Sequence, residues 1–165
     1  MDDLTKRAKK YSRGAGRTQT GHCDAAHKKA RYHRVLGSTS VVLSTLVGGS
    51  IFVRYGDSWP MITGVLAILS AVVGSINTST KFAEEAEKHR VAGANYGDIR
   101  RAADMLVLKM AARDVERKEA LSQLETIGTR MSNLAKESIS LPDSIYFPAR
   151  EKFDTEHDGG ENRND

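Results

Sequence analysis

The chain has 165 residues, with 25 Lys or Arg against 21 Asp or Glu, a formal charge of +4 and 39% hydrophobic residues. That length fits one domain, and a single cysteine, Cys23, excludes an internal disulfide framework. The charge is unevenly spread: residues 1–34 hold ten basic residues against three acids, and residues 81–165 hold fourteen against seventeen.

Residues 1–20 read as a flexible basic arm with a short helix near Leu4 to Tyr11. Such an arm can be drawn to anionic lipid or nucleic acid. No aromatic residues are interleaved to stack on bases, so a solvated positive flank is preferred and nucleic acid is not an expected partner. From 22 to 34 the pattern is helical, with Ala26, Ala30, His33 and Gly37 on one face. His22, Cys23, His27 and His33 invite a metal reading. Their spacing matches no zinc pattern, so neither a metal nor another cofactor is expected.

Residues 35–53 and 59–76 are apolar runs of 19 and 18 residues without a charge. Each spans about 27–28 Å as a helix, close to a hydrocarbon core of about 30 Å. A soluble helix would carry a charged face, and here the polar residues are only Ser, Thr and Gly. The expected fold is therefore an all-α membrane protein: a two-helix transmembrane hairpin flanked by a cytoplasmic pre-membrane helix and a long cytoplasmic post-membrane helix. Arg17, Lys28, Lys29, Arg31 and Arg34 precede the first run, and Lys81, Lys88 and Arg90 follow the second. The positive-inside rule then places both termini in the cytoplasm, with Tyr55 and Trp59 as aromatic anchors at the outer interface. Pro60 suits the first turn of the second helix.

Small residues form a stripe in each run. Gly37, Ser40, Ser44 and Gly48 repeat along the first; Gly64, Ala67, Ala71, Gly74 and Thr78 repeat along the second. Such stripes let membrane helices approach closely, and with Ser70 their hydroxyls could line a polar path in an oligomer. No ionisable residue lies at membrane depth, which argues against a proton-coupled transporter or a voltage sensor.

Residues 81–139 read as one long helix. Phe82, Ala86, His89, Gly93, Tyr96, Ile99 or Arg100, Ala103, Leu106 and Met110 follow a 4–3–4–3 rhythm, a coiled-coil-like seam. Its natural partner is the face carrying Ala26, Ala30 and His33, and His89 reads as a packed, hydrogen-bonded histidine. Farther on, Leu121, Leu124, Met131 and Leu134 are expected to face inward. The strip from Leu141 to Phe147, bracketed by Pro142 and Pro148, is expected to dock on the long helix. The acidic tail, residues 151–165, is expected to be disordered. There is no phosphate loop, dinucleotide fingerprint or supported nucleophile, so an enzyme is not expected.

The run Ala26-His27-Lys28-Lys29-Ala30-Arg31-Tyr32-His33, the hydroxyl-rich spans, Lys81 to Arg90 with its Glu87-Lys88-His89-Arg90, and Ala94-Asn95-Tyr96 together resemble the SLATT domain, a bacterial two-transmembrane domain. Leu141-Pro142 followed by Tyr146 completes the likeness, which covers residues 15–150, with the domain itself taken as 21–150. The resemblance implies a pore-forming effector of bacterial conflict or antiphage systems that permeabilises the inner membrane as a homo-oligomer. It also implies activation by a nucleotide second messenger or a sensor protein, and leaves open which of these acts here. Two other readings are a non-conducting membrane scaffold that recruits a partner through its long helix, and a nucleic-acid tether using the basic arm.

Overall fold

The computed structural model describes residues 1–50 and 59–161. Its elements are α1 (Asp2–Ser50), α2 (Trp59–Ser79), α3 (Phe82–Ala111), α4 (Arg117–Glu137) and α5 (Asp143–Glu161), with no strand among the described residues. Residues 51–58 lie outside the description; they hold Tyr55, the intervening Arg54 and Asp57, and the end of the first apolar run. Trp59 opens α2. Contacts divide the chain into two units: Met1–Ala26 with Glu87–Asp165, and His27–Ala86.

The first unit is a bundle of four helical segments. Residues 1–20 are not a flexible arm; they are the opening turns of α1, started by Asp2 and Asp3, whose charge suits a helix N-terminus. Leu4, Ala8, Ser12, Ala15 and His22 are buried along one side of α1. Most of these are small, so the backbone of α1 approaches its neighbours closely. A Cβ added at Gly16 would collide with the Phe153 ring, and one added at Gly14 would lie 3.2 Å from Met131 Cε.

Contacts along α1 and α3 run in opposite directions. Thr5 reaches Met110, Ser12 Oγ donates to Asp104 Oδ1 at 2.5 Å, and Gly93 lies against Cys23. In this unit His89, Tyr96, Ile99, Ala103, Leu106 and Met110 are all buried on α3. Their partner within this unit is the N-terminal part of α1, so the seam is filled inside a single chain. Of the residues expected opposite it, Ala26 is half-buried and His33 is exposed.

The long helix expected over 81–139 is interrupted after Ala111. Arg113 adopts φ 57°, its N–H donates to Met110 O at 3.3 Å, and Asp114 N–H donates to Lys109 O at 3.0 Å. This 5→2 and 6→1 pair is a Schellman stop, with arginine where glycine is usual. The chain restarts at Glu116, and Ala120, Leu124 and Ile127 turn inward on α4. Leu121 does not: at one residue from Ala120 it is rotated about 100° away and is 44% exposed.

The acidic tail is likewise helical through Glu161, because it has something to bury. Phe153 is 3% exposed, Asp154 accepts from Arg17 Nε at 2.7 Å, and the Arg100 guanidinium stands 5.0 Å from the Phe153 ring centroid. Pro148 sits in the second turn of α5, where its missing N–H leaves the carbonyl of Ser144 without its helical donor.

The second unit pairs the C-terminal part of α1 with α2. Facing residues again run in opposite directions: Lys29 with Glu85, His33 with Asn77, Gly37 with Asn77, Ser40 with Gly74, Ser44 with Ser70. Many other hydroxyls bond within their own helix, Thr45 to Val41 O, Ser75 to Ala71 O, Thr78 to Gly74 O, Ser79 to Ser75 O and Thr80 to Ile76 O, at 2.7–3.0 Å. Lys81 at φ 45° separates α2 from α3.

Candidate functional site

The second unit turns aliphatic side chains outward and sets a few polar contacts between its helices. Ser44 Oγ and Ser70 Oγ share a hydrogen bond of 2.8 Å, His33 Nδ1 lies 3.1 Å from Asn77 Oδ1, and a Cβ added at Gly74 would meet Ser40 Oγ at 3.4 Å. Outside, eleven aliphatic side chains between Val35 and Ile76 are 44–77% exposed, including Val41, Met61 and Ile68. Moving that much half-exposed apolar surface out of water is worth on the order of 10 kcal/mol at about 1 kcal/mol each, comparable to the whole stability of a domain. The stretch from Pro60 onward contains an 18-residue apolar window of which no part is buried; it is the one such helix among the described residues.

On α1 the small-residue stripe does meet α2 at Gly37, Ser40 and Ser44, while a Cβ added at Gly48 would find nothing within 4 Å. On α2 the stripe lies one position beside the side turned to α1, where it is open to a neighbouring helix. Gly64, Ala67, Ala71 and Thr78 are exposed, and only Gly74 reaches the contact. The side of α2 turned toward α1 carries Thr63, Leu66, Ser70, Val73 and Asn77, all half-buried and spaced 3–4–3–4. Size was the misleading signal: the gap between the helices takes leucine and valine, and the small residues lie beside it. Asn77 was missed altogether; it directly follows the apolar run, and an amide at the end of a membrane-length stretch is a signal for a polar partner on the facing helix. The proposed outer anchor Tyr55 falls outside the described residues.

Near the N-terminal side of this unit, Lys29 Nζ pairs with Glu85 at 2.5 Å and stands 5.4 Å from the Phe82 ring centroid, and Tyr32 packs at 5.9 Å from Phe82. Ala30 is half-buried here.

In the first unit the seam closes around a histidine pair. His22 and His89 are 2% and 3% exposed, with their Nδ1 atoms 3.0 Å apart. One Nδ1–H must donate to the other ring's lone pair, so the contact requires one proton between the two nitrogens. Tyr96 stacks on His22 at 5.5 Å and 15°, and its hydroxyl bonds Ser138. Burial, and secondarily the neighbouring His89, lowers the His22 pKa from 6.5 to about 4, so the ring is neutral in the folded chain. Burial raises the Tyr96 phenol and the Cys23 thiol, Asp24 adding to the latter and Lys152 opposing it. His27 and His33 do not join His22 and Cys23, and no group of three metal-ligating side chains occurs among the described residues. The contact with His89 was not readable from sequence, since the two residues are 67 positions apart.

A family model described as SMODS and SLOG-associating 2TM effector domain family 4 matches residues 10–158. No curated protein and no solved structure matches the chain.

Proposed function

The chain belongs to the SLATT family of two-transmembrane effector domains, and from that premise we propose that its first apolar run and α2 cross the bacterial inner membrane as a hairpin, assemble into a homo-oligomer and open a conducting path on activation. The observation that supports this best is the second unit's surface, where eleven aliphatic side chains stand outward, together with the Ser44–Ser70 and His33–Asn77 hydrogen bonds between the helices. Ser44 remains more exposed than Ser70 even while bonded to it. Its open edge is where a neighbouring copy would complete a wet path. The basic residues before α1's apolar half and after α2 favour both termini on the cytoplasmic side. The first unit then receives the trigger, a nucleotide second messenger or a sensor protein.

A second reading, a non-conducting scaffold, is favoured by the 57% exposure of Phe147, which leaves an aromatic free for a partner. Ser44→Val separates the two. Losing one interhelical hydrogen bond costs only about 0.6 kcal/mol in a membrane, so assembly should survive, while a hydrophobic ring at that depth can dewet and close a pore. The expected result is normal insertion and oligomer size with lost dye or ion leakage. Leakage unchanged from wild type would place the path elsewhere. A wild-type oligomer that never leaks would leave the scaffold.

A further inference from the structure

We infer that the groove over the N-terminal part of α1 binds a phosphate-bearing organic anion. The groove has a volume of about 1250 Å³ and lies within the first unit. One side is cationic, with Lys6, Lys9, Lys10, Arg13 and Arg17 from α1; the other is apolar, with Val107, Leu108 and Met131 from α3 and α4. A pocket of this kind selects a ligand with several negative charges on an apolar or flat body.

Arg17 serves the fold through Asp154, but the three lysines have no such partner among the described residues. Lys6 and Lys10, Lys9 and Arg13, and Arg13 and Arg17 are like-charged i,i+4 pairs, an arrangement that destabilises a helix. Lys6, Lys9 and Lys10 make no ion pair among the described residues. The carboxylates at hand are committed elsewhere: Asp104 accepts from Ser12 and lies 3.7 Å from Arg100, and Asp154 is held by Arg17. His157, also on the rim, contacts Arg100 and stacks on Phe153. A multiply charged phosphate ester would relieve the repulsion along α1, and its organic part would cover the apolar wall. A free organic phosphate and a lipid headgroup both carry this group, and the chemistry of the site is the same for both.

This deepens the reading of a ligand-triggered effector and gives the trigger a place. Binding is measured without conduction, so a chain that binds and does not leak would refute the pore and leave the site standing. The probe is ATP, titrated calorimetrically into the full chain in neutral detergent. Saturable binding is expected, with a raised melting temperature and affinity that falls between about 50 and about 300 mM salt. Lys9→Gln with Lys10→Gln should weaken it about tenfold or more, since both lysines contribute charge-assisted bonds. Both are exposed, so the variant should keep its circular dichroism, and its ligand-free melting temperature should hold or rise slightly as the like-charge pairs are relieved. Pyrophosphate should bind more weakly than ATP. Displacement of ATP by short-chain phosphatidylglycerol would assign the site to a headgroup, and failure to displace it to a soluble phosphate; both keep the proposal. ATP binding that does not saturate, is indifferent to the double substitution, or is matched by pyrophosphate would overturn it. Tighter binding of a short oligonucleotide would overturn it too, making the face a nucleic-acid surface.

Discussion

Acidification should loosen the first unit through His22. The folded chain holds this ring neutral with a pKa of about 4, against 6.5 for an unburied histidine. Between those values the unfolded chain binds a proton that the folded chain refuses, so stability rises with pH across the window and is complete above it. Each pH unit is worth about 1.4 kcal/mol. Lowering the pH from 7 to 5 should therefore remove about 2 kcal/mol, and reaching pH 4 about 3 kcal/mol. At about 2–4 °C per kcal/mol for a chain of this size, the melting temperature should fall by roughly 4–8 °C at pH 5. The geometry explains why burial is enforced: a second proton would set two N–H groups against each other across the 3.0 Å contact with His89. The assay is thermal unfolding of the full chain in detergent from pH 7 to pH 4.5, for wild type and His22→Phe. Phenylalanine can still stack on Tyr96 but cannot titrate. A wild-type curve no steeper than that of His22→Phe would refute the reasoning.

Gly93→Leu places a side chain where a Cβ alone would lie 3.3 Å from Cys23 Sγ and 3.5 Å from His22 Cβ. It should cost about 1–3 kcal/mol by overpacking, read as a lowered unfolding midpoint of the first unit. Phe153→Ala empties the space against Gly16 and Arg100 and should cost about 3–5 kcal/mol, and α5 should then lose hydrogen-exchange protection first. Arg113→Gly relieves a left-handed residue at the end of α3 and should raise the midpoint by about 1 kcal/mol; a loss of stability would mean that the arginine side chain holds the turn.

Periodicity in large or distinctive residues was legible. The rhythm from Ala86 through His89, Tyr96 and Leu106 to Met110 could be read directly, and these positions are buried. The family was also legible, from the runs around His27 and His89 and the two uncharged stretches between them. Faces built from small residues misled in both directions. Ala8, Ser12 and Ala15 carry little hydrophobic signal, so a packed helix read as an arm. Gly64, Ala67 and Ala71 look like a contact and are exposed, because the neighbouring Leu66 and Val73 turn toward α1. The stop after Ala111 left no mark, since it depends on Arg113 adopting a conformation that arginine rarely takes. Helix in the acidic tail depends on a long-range partner for Phe153, which no local pattern announces.

The way hydroxyls are satisfied in the second unit bears on how the protein reaches its place. Thr45, Ser75, Thr78, Ser79 and Thr80 bond carbonyls one turn back in their own helices, so those groups need no neighbour to leave water. Among the described residues, Ser44, Ser70, His33 and Asn77 bond across to the other helix. In the proposed membrane hairpin, insertion and pairing can then be separate events during synthesis: the apolar half of α1 can partition while α2 is still on the ribosome, and these four groups pair afterwards.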